Sequence, residues 1–261
     1  MILCGGLHLS HGETLKCEFR EWSFSYVGNM YYCDVTSLDN SFNNMTIDGF
    51  TGVHMAGRTD NNVRGIGIHN TNTKYIPANL GVLFNLTTLI VESSNVIEIK
   101  AENFLGMQEL QVLSLYDNKL RSLASDTFST LTKLGYLSLF KNQLEVIPSN
   151  LFSNNMNLET IDLDDNQIKY IGSGVFDQLQ KLDIVNLSGN ICVSENYDDI
   201  IQLKEDVKSK CNNPNDPYEI ITNLQQENKE LKSQLSKANE ELQQSKDNLR
   251  ELLSLLLVFG V

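Results

Sequence analysis

The sequence is short of positive charge. It carries 20 Lys and Arg against 33 Asp and Glu, which gives a net charge of −13. A chain of this sign repels phosphate backbones and anionic lipid surfaces, so nucleic acid is excluded as its main partner. The excess of acid is spread along the chain, and no basic half is concealed within the acidic average.

Motifs for catalysis and cofactor binding are also missing. The sequence has no P-loop, no GxGxxG dinucleotide-binding motif and no GxSxG nucleophile elbow. Its four histidines, His8, His11, His54 and His69, are scattered, so they do not form a zinc site. The sequence therefore predicts a protein that is not an enzyme and holds no cofactor or metal.

A repeat of 24 residues is the strongest positive feature. Its first position is leucine in five successive units, at Leu86, Leu110, Leu134, Leu158 and Leu182. An LxL segment follows within each unit, and it alternates like a strand whose apolar side chains face inward. Because no unit can bury its apolar face alone, units of equal length are expected to stack their strands into a parallel sheet.

The pattern LxxLxLxxNxLxxLxxxxFxxLxx over residues 86–190 resembles the extracellular, 24-residue type of the leucine-rich-repeat family. A degenerate coil precedes it and extends the predicted repeats to 63–190. The resemblance implies an α/β solenoid with a parallel sheet, and we call the sheet face that points away from the leucine core the concave face. One asparagine per unit is predicted to bond buried backbone groups at the strand ends, at Asn118, Asn142, Asn166 and Asn190.

Cysteines lie at both ends of the repeats. Cys17 and Cys33 precede the first coil, and Cys192 and Cys211 follow the last asparagine. Four cysteines allow three connectivities. The solenoid would hold its two ends too far apart for a disulfide, so we predict the two local pairs, Cys17–Cys33 and Cys192–Cys211. Disulfides predict an extracellular protein, and reduced thiols in a cytosolic repeat protein are the alternative.

The segments around these cysteines are predicted to cap the solenoid, over 13–62 and 191–213. The second cap is expected to contain a helix, because Ile200, Leu203 and Val207 recur at helical spacing. We interpret residues 1–12 as a weak or truncated signal peptide whose removal leaves an even number of cysteines. Three sequons predict glycosylation on the secretory route, at Asn44, Asn85 and Asn186.

A different period begins after the linker at 214–217. Residues 218–259 follow heptads, and the pairs Glu227 with Lys232 and Glu241 with Lys246 favour parallel pairing of two chains. The sequence thus predicts a coiled-coil homodimer or heterodimer, with a solitary solvated helix as the alternative. The seam has a single asparagine at an a position, and Ala238 and Ser245 weaken its middle. It includes Leu224, Asn228, Leu231, Leu235, Leu242 and Leu249.

The last residues, 252–261, are almost entirely apolar. They are too few to span a bilayer, for which a helix needs about 20 residues. We expect them to continue the seam or to pack against the solenoid, and membrane attachment is the alternative.

Three aromatic residues, Tyr116, Tyr136 and Phe140, are predicted on adjacent strands of the concave face. Clustered exposed aromatic side chains often anchor protein interfaces, although scattered exposed aromatics also occur without a function. An acidic edge adjoins them, which we interpret as a solvated strip or as a weak calcium site. The predicted protein-binding site also includes Glu92, Asp117, Lys141, Asp162, Asp164 and Asp165.

Repeats, cysteine caps, a linker and a coiled coil together resemble the leucine-rich immune proteins of mosquitoes and midges. Those proteins pair through their coiled coils and carry complement-like thioester proteins. The resemblance implies a secreted, non-enzymatic recognition or scaffold protein of insect innate immunity that binds a protein on its concave face. No cysteine follows Cys211, so pairing is expected to be non-covalent. The alternatives are a cell-surface or matrix adhesion protein, or a regulator that occludes an enzyme.

Overall fold

The chain folds as two compact units, Met1–Asn213 and Pro214–Val261. The computed structural model describes residues 13–37, 47–77, 80–83, 86–211 and 217–259. Several predicted features lie outside this part of the chain: the signal peptide at 1–12, the sequons at Asn44 and Asn85, linker residues 214–216 and the side chains of the apolar end.

A ten-stranded sheet runs through the first unit, in the order β12-β11-β9-β7-β6-β5-β4-β2-β1-β3. The strands from β2 to β11 in this order are parallel, whereas β1 is antiparallel to β2 and β12 is antiparallel to β11. A separate parallel pair is formed by β8 and β10. The strands are β1 (Glu13–Phe24), β2 (Gly28–Ser37), β3 (Ile47–Thr51), β4 (Val63–His69), β5 (Thr88–Glu92), β6 (Val112–Ser114), β7 (Tyr136–Ser138), β8 (Val146–Ile147), β9 (Thr160–Asp162), β10 (Tyr170–Ile171), β11 (Ile184–Asn186) and β12 (Asn196–Tyr197).

The strand register reproduces the repeat of the sequence. Val112 lies opposite Tyr136, and Tyr136 lies opposite Thr160, so each step to the next strand is 24 residues. The predicted parallel-sheet solenoid is confirmed. The helices are short within this unit and long in the second: α1 (Leu80–Leu83), α2 (Ile200–Asp206) and α3 (Pro217–Phe259).

The core is a continuous apolar stack that no single coil could form. The leucine at the first position of each repeat is buried, and one phenylalanine per coil lies behind it. Successive phenylalanine rings, from Phe104 to Phe176, have centroids 6.0 to 6.4 Å apart. Burial of each such side chain stabilises the fold by about 1.5–3 kcal/mol, and stacking makes that gain depend on the neighbouring coils.

The repeat asparagines bond backbone groups of two coils. At Asn142, Oδ1 accepts from the Leu120 amide at 3.1 Å, and Nδ2 donates to the carbonyls of Leu115 and Leu139, both at 3.0 Å. These groups lie where the chain turns away from the sheet, and they have no strand partner there. The same donors and acceptors are used at Asn118, Asn166 and Asn190.

Both predicted local disulfides are present at the ends of the solenoid. Cys17 and Cys33 join β1 to β2 with a Cα–Cα distance of 5.2 Å, and Cys192 and Cys211 are 5.0 Å apart. The second bond closes the C-terminal cap over the core, in which Leu203 of α2 is fully buried. The apolar stack is thereby covered at its C-terminal end.

Candidate functional site

Side chains on the concave face form three rows that cross the strands. Residues two apart on a strand share a face, and each 24-residue step moves along one row. We call them the lower, middle and upper rows. The lower row is Val112, Tyr136, Thr160 and Ile184; the middle row is Ile90, Ser114, Ser138, Asp162 and Asn186; the upper row is Glu92, Tyr116, Phe140, Asp164 and Ser188.

The N-terminal hairpin, made of β1 and β2, covers the beginning of this face. A Cβ atom on Gly67 would lie 1.7 Å from the Tyr32 hydroxyl, and one on Gly65 would lie 2.5 Å from Tyr32 Cδ2. The Tyr32 ring therefore lies directly on β4, and only glycine allows this approach. Tyr32 is 1% exposed and packs with Met30 and Ile90 in a cluster separate from the main core.

The tip of the hairpin continues over the lower row. The ring centroid of Tyr136 is 5.5 Å from that of Phe24 and 5.3 Å from that of Tyr26. The Tyr26 hydroxyl also forms a hydrogen bond with Thr160 Oγ1. Val112 has no exposed surface although it points away from the leucine core. The lower row is therefore occupied by the chain's own hairpin tip.

This arrangement corrects the expectation that Tyr136 lies on an open surface. Its ring is half-buried, and burial raises the pKa of its hydroxyl. Pattern analysis of the repeats does not reveal the hairpin, because the hairpin lies outside the 24-residue period. The sequence nevertheless contained a signal for the hairpin contact. Trp22 and Phe24, two residues apart, share one face of β1, and Gly65 and Gly67 leave β4 without side chains at two positions of one face.

The upper row carries two stacked aromatic rings, both partly buried. Tyr116 and Phe140 have ring centroids 5.1 Å apart with an interplanar angle of 30°. Lys141 Nζ lies 5.8 Å from the Tyr116 ring and 3.1 Å from Asp117 Oδ1. Hydrogen bonding from Ser93 and from Lys141 lowers the pKa of Asp117. The structure thus brings four predicted site residues together in one patch, of which Lys141 is exposed and the other three are partly buried.

The predicted acidic edge lies beyond Phe140 on β9 and the residues that follow it. Burial raises the pKa of Asp162, and burial also raises the pKa of Asp164, whose Oδ1 accepts from the Ser188 amide at 2.6 Å. Asp165 is exposed, so the strip is only partly solvated. Within the described part of the chain, no group of three or more His, Cys, Asp and Glu side chains is arranged to hold a metal ion.

Glu92, at the other end of the upper row, belongs to a polar ladder. Its Oε2 is 3.6 Å from His69 Nδ1, and its Oε1 accepts from Ser114 Oγ at 2.7 Å. His69 Nε2 faces the Tyr32 hydroxyl at 3.3 Å and Asp34 Oδ1 at 3.8 Å. Burial would raise the pKa of Glu92, but the bonds to His69 and Ser114 lower it overall. This ladder joins the hairpin to β4, β5 and β6.

Helix α3 offers a second surface. It is 43 residues long, and the leucines of its predicted seam are about half exposed; Leu235 is 62% and Leu242 is 53% exposed. An apolar stripe of this kind is rarely left in water. No helix in the described residues is both long and apolar enough to cross a bilayer.

The repeats match a known protein family. Residues 84–144 and 137–191 match the sequence profile described as leucine rich repeat. Residues 84–191 are leucine-rich repeats. No curated protein matches the sequence. Leucine-rich repeats stack into extended solenoids with a concave surface, and the ten-stranded sheet described above has this architecture.

Three solved structures are similar to part of this chain. A chain in the octameric complex of Latrophilin 3, Unc5D and FLRT2 is 24% identical, with a TM-score of 0.45 over 49% of this chain and 39% of that one. An LRR protein of Leptospira interrogans is 29% identical, with a TM-score of 0.45 over 49% and 32%. A chain of the Toll–Spatzle complex of Drosophila is 14% identical, with a TM-score of 0.30 over 50% and 27%. This chain thus spans less than two fifths of the length of each.

Proposed function

We propose that this protein is a secreted, non-enzymatic recognition protein that binds a protein partner on its concave face and pairs with a second chain through α3. The observation that carries the first part is the stacked pair of Tyr116 and Phe140 on the upper row. Both side chains are partly buried, and they lie two residues beyond the ends of β6 and β7, which the solenoid holds in place. Binding such rings costs little conformational entropy, which is why aromatic residues dominate interface energies.

The charges beside the rings favour a partner that presents lysine or arginine. Asp162 and Asp164 are partly desolvated carboxylates with raised pKa values, so a cation placed against them would gain more than at a solvated surface. Asp165 adds a third negative charge. Lys141 is already bound to Asp117 and contributes little repulsion. We therefore expect the partner to contact the aromatic pair and the acidic edge together.

Secretion is supported by the two disulfides, which persist in oxidising compartments. The third sequon, Asn186, lies in the middle row of β11 and is half-buried. A glycan there would restrict the partner to the coils before β11. This restriction agrees with a contact centred on Tyr116 and Phe140.

Replacing the two rings tests the concave site. The double variant Tyr116→Ala, Phe140→Ala should lose at least tenfold in affinity, because truncation of one hot-spot residue costs about 2 kcal/mol. The resemblance to leucine-rich immune proteins makes a complement-like thioester protein from body fluid the first partner to test. Tyr170→Ala, on β10 outside the ten-stranded sheet, is the matched control. Equal binding by the double variant, with the control also unchanged, would contradict the proposed site.

Pairing through α3 is supported by the exposure of its seam and by the charges beside it. Glutamates flank one side of the seam at Glu227 and Glu241, and lysines flank the other at Lys232 and Lys246. In a parallel pair, each glutamate faces a lysine of the partner helix. Asn228 would meet its own copy and fix the register. A second copy of this chain therefore supplies a matching asparagine and oppositely charged partners for these four flanking residues, and we propose a homodimer.

Charged substitutions in the seam test this pairing. Leu235→Asp with Leu242→Asp should halve the mass measured by light scattering, because buried unpaired carboxylates prevent association. Ser233→Asp with Gln244→Asp adds the same charges away from the seam and should leave the mass unchanged. A seam variant that keeps the wild-type mass would refute pairing through α3, and retained disulfides and thermal unfolding would show that the solenoid is intact.

A further inference from the structure

A cleft of about 710 Å³ opens between the hairpin tip and the starts of β6, β7 and β9. It lies below the lower row, on the opposite side of the hairpin tip from the Tyr116–Phe140 pair of the proposed protein site. Its volume falls within the range of small-molecule sites, which is about 300–1,000 Å³. The residues that line it and matter below are Tyr26, Gln111, Lys133, Gly135, Asn157 and Glu159.

Gly135 forms the floor of the cleft, and neither packing nor backbone conformation requires a glycine there. The backbone φ angle of Gly135 is not positive, so any residue could adopt it. A Cβ atom at this position would lie 3.6 Å from the Asn157 carbonyl oxygen and 3.7 Å from Tyr26 Cδ1. These are ordinary van der Waals distances. The adjacent coils carry Gln111 and Glu159 at the same repeat position. The missing side chain therefore creates space that the solenoid itself does not need.

The walls combine an aromatic ring with donors and acceptors of both kinds. The side chains of Gln111 and Glu159 make no hydrogen bond within the described residues, so an amide and a carboxylate are available to a ligand. Lys133 is bound to Glu109 at 2.7 Å, and Asn157 accepts from Lys181 at 2.8 Å. The ring of Tyr26 closes the cleft from the hairpin side. Because Lys133 is paired with Glu109, the carboxylate of Glu159 leaves the cleft with a negative charge that would repel an anionic ligand.

We propose that this cleft binds a neutral saccharide. A pyranose ring has an apolar C–H face that packs on an aromatic ring, and its hydroxyls both donate and accept hydrogen bonds. Amide and carboxylate side chains satisfy hydroxyls of this kind. Tyr26 would contact the sugar face, and Gln111 and Glu159 would bond its hydroxyls. Gly135 would leave room for the ring between them.

The test uses the full chain and four neutral trisaccharides, namely maltotriose, cellotriose, mannotriose and chitotriose, with saturation-transfer NMR as the readout. We expect at least one to bind with a Kd of about 1 mM, as suits a few hydrogen bonds and one stacked ring. Gly135→Gln fills the cleft with the residue type found at position 111, and it should weaken binding at least tenfold. Asp183→Gln introduces the same side chain at the equivalent position two coils further on, outside the cleft lining, and should have no effect.

Two substitutions at the hairpin tip separate the ring from the hydroxyl. Tyr26→Leu should abolish saccharide binding, whereas Tyr26→Phe, which keeps the ring, should retain it. Binding that survives in Gly135→Gln would overturn the proposal, and so would the failure of all four trisaccharides. Preferential binding of a heparin disaccharide or an arginine-rich peptide would overturn it as well. The double variant Tyr116→Ala, Phe140→Ala should still bind the sugar, so this outcome is independent of the protein site.

Discussion

The hydroxyl of Tyr26 forms a hydrogen bond with Thr160, which lies 134 residues further along the chain. This bond ties the tip of the N-terminal hairpin to β9, across β6 and β7. The hairpin is thus more than an end cap, because its tip fills the lower row of the concave face. The surface left for a partner is the upper row and the cleft under the tip. The surface proposed for recognition is consequently smaller than the concave face of the sheet.

Tyr26→Phe is expected to loosen the tip without unfolding the solenoid. Loss of a hydrogen bond of this type costs about 1 kcal/mol, and the ring contact with Tyr136 remains. Amide hydrogen exchange should therefore accelerate about fivefold over residues 24–28 and stay unchanged in β7. Ser25→Ala, at the same tip, serves as the control. Unchanged exchange at the tip in Tyr26→Phe would show that the hydroxyl does not hold the hairpin.

The repeats and both disulfides could be predicted from the sequence, because each follows from spacing along the chain. Leu110 and Leu134 lie one period apart, and that period is what stacks one strand on the next. The contact between Tyr26 and Thr160 has no such signature. Its partners are non-periodic, and the glycines that admit the hairpin, such as Gly67, are informative only when the neighbouring strand is known. The half-burial of Asp162 is unpredictable for a related reason, since it depends on side chains of adjacent coils.

Asn142→Ala should destabilise the solenoid by about 3 kcal/mol. The substitution leaves the amide of Leu120 without a partner in a buried turn, which costs about 1–3 kcal/mol. It also removes one of the two side-chain donors to the Leu115 carbonyl, which keeps only its bond from Asn118. Chemical denaturation followed by circular dichroism measures the change. Asn154→Ala, whose exposed side chain bonds only the Ser129 carbonyl, should cost less than about 1 kcal/mol. Similar values for the two variants would contradict the structural role of the buried asparagines.

Asp162→Asn should stabilise the protein at neutral pH. Because the pKa of Asp162 is raised in the folded state, the folded chain holds this proton more tightly than the unfolded chain. The associated stability is fully present below the ordinary aspartate pKa and is lost as pH rises through the folded-state pKa. Asparagine keeps an acceptor for the Asp164 amide and removes the buried charge. We expect a Tm a few degrees higher than wild type at about pH 7 and no difference at about pH 3.

Two controls accompany this pH measurement. Asp183→Asn removes an exposed negative charge from the next coil and corrects for the change in net charge. Glu92→Gln should lower the Tm at neutral pH, the opposite of Asp162→Asn, because the pKa of Glu92 is lowered by His69 and Ser114. Its contribution is present above the ordinary glutamate pKa and is lost as pH falls through the lowered value. A stabilising effect of Glu92→Gln at neutral pH would contradict the polar ladder.

Exchanging the charges that flank the α3 seam should create a chain that pairs with itself but not with wild type. The variant carries Glu227→Lys, Glu241→Lys, Lys232→Glu and Lys246→Glu. In a parallel homodimer of the variant every flanking pair remains opposite in sign, so its mass in light scattering should equal that of wild type. In a mixed parallel dimer glutamate would face glutamate and lysine would face lysine. Four pairs, each worth about 0.3–0.5 kcal/mol, would then change from attraction to repulsion, and native mass spectrometry of a mixture should show few mixed dimers.

An antiparallel pair reverses this result, because equivalent flanks then face each other and the mixed dimer becomes the complementary one. Predominant mixed dimers would therefore exclude the parallel arrangement while leaving pairing through α3 in place.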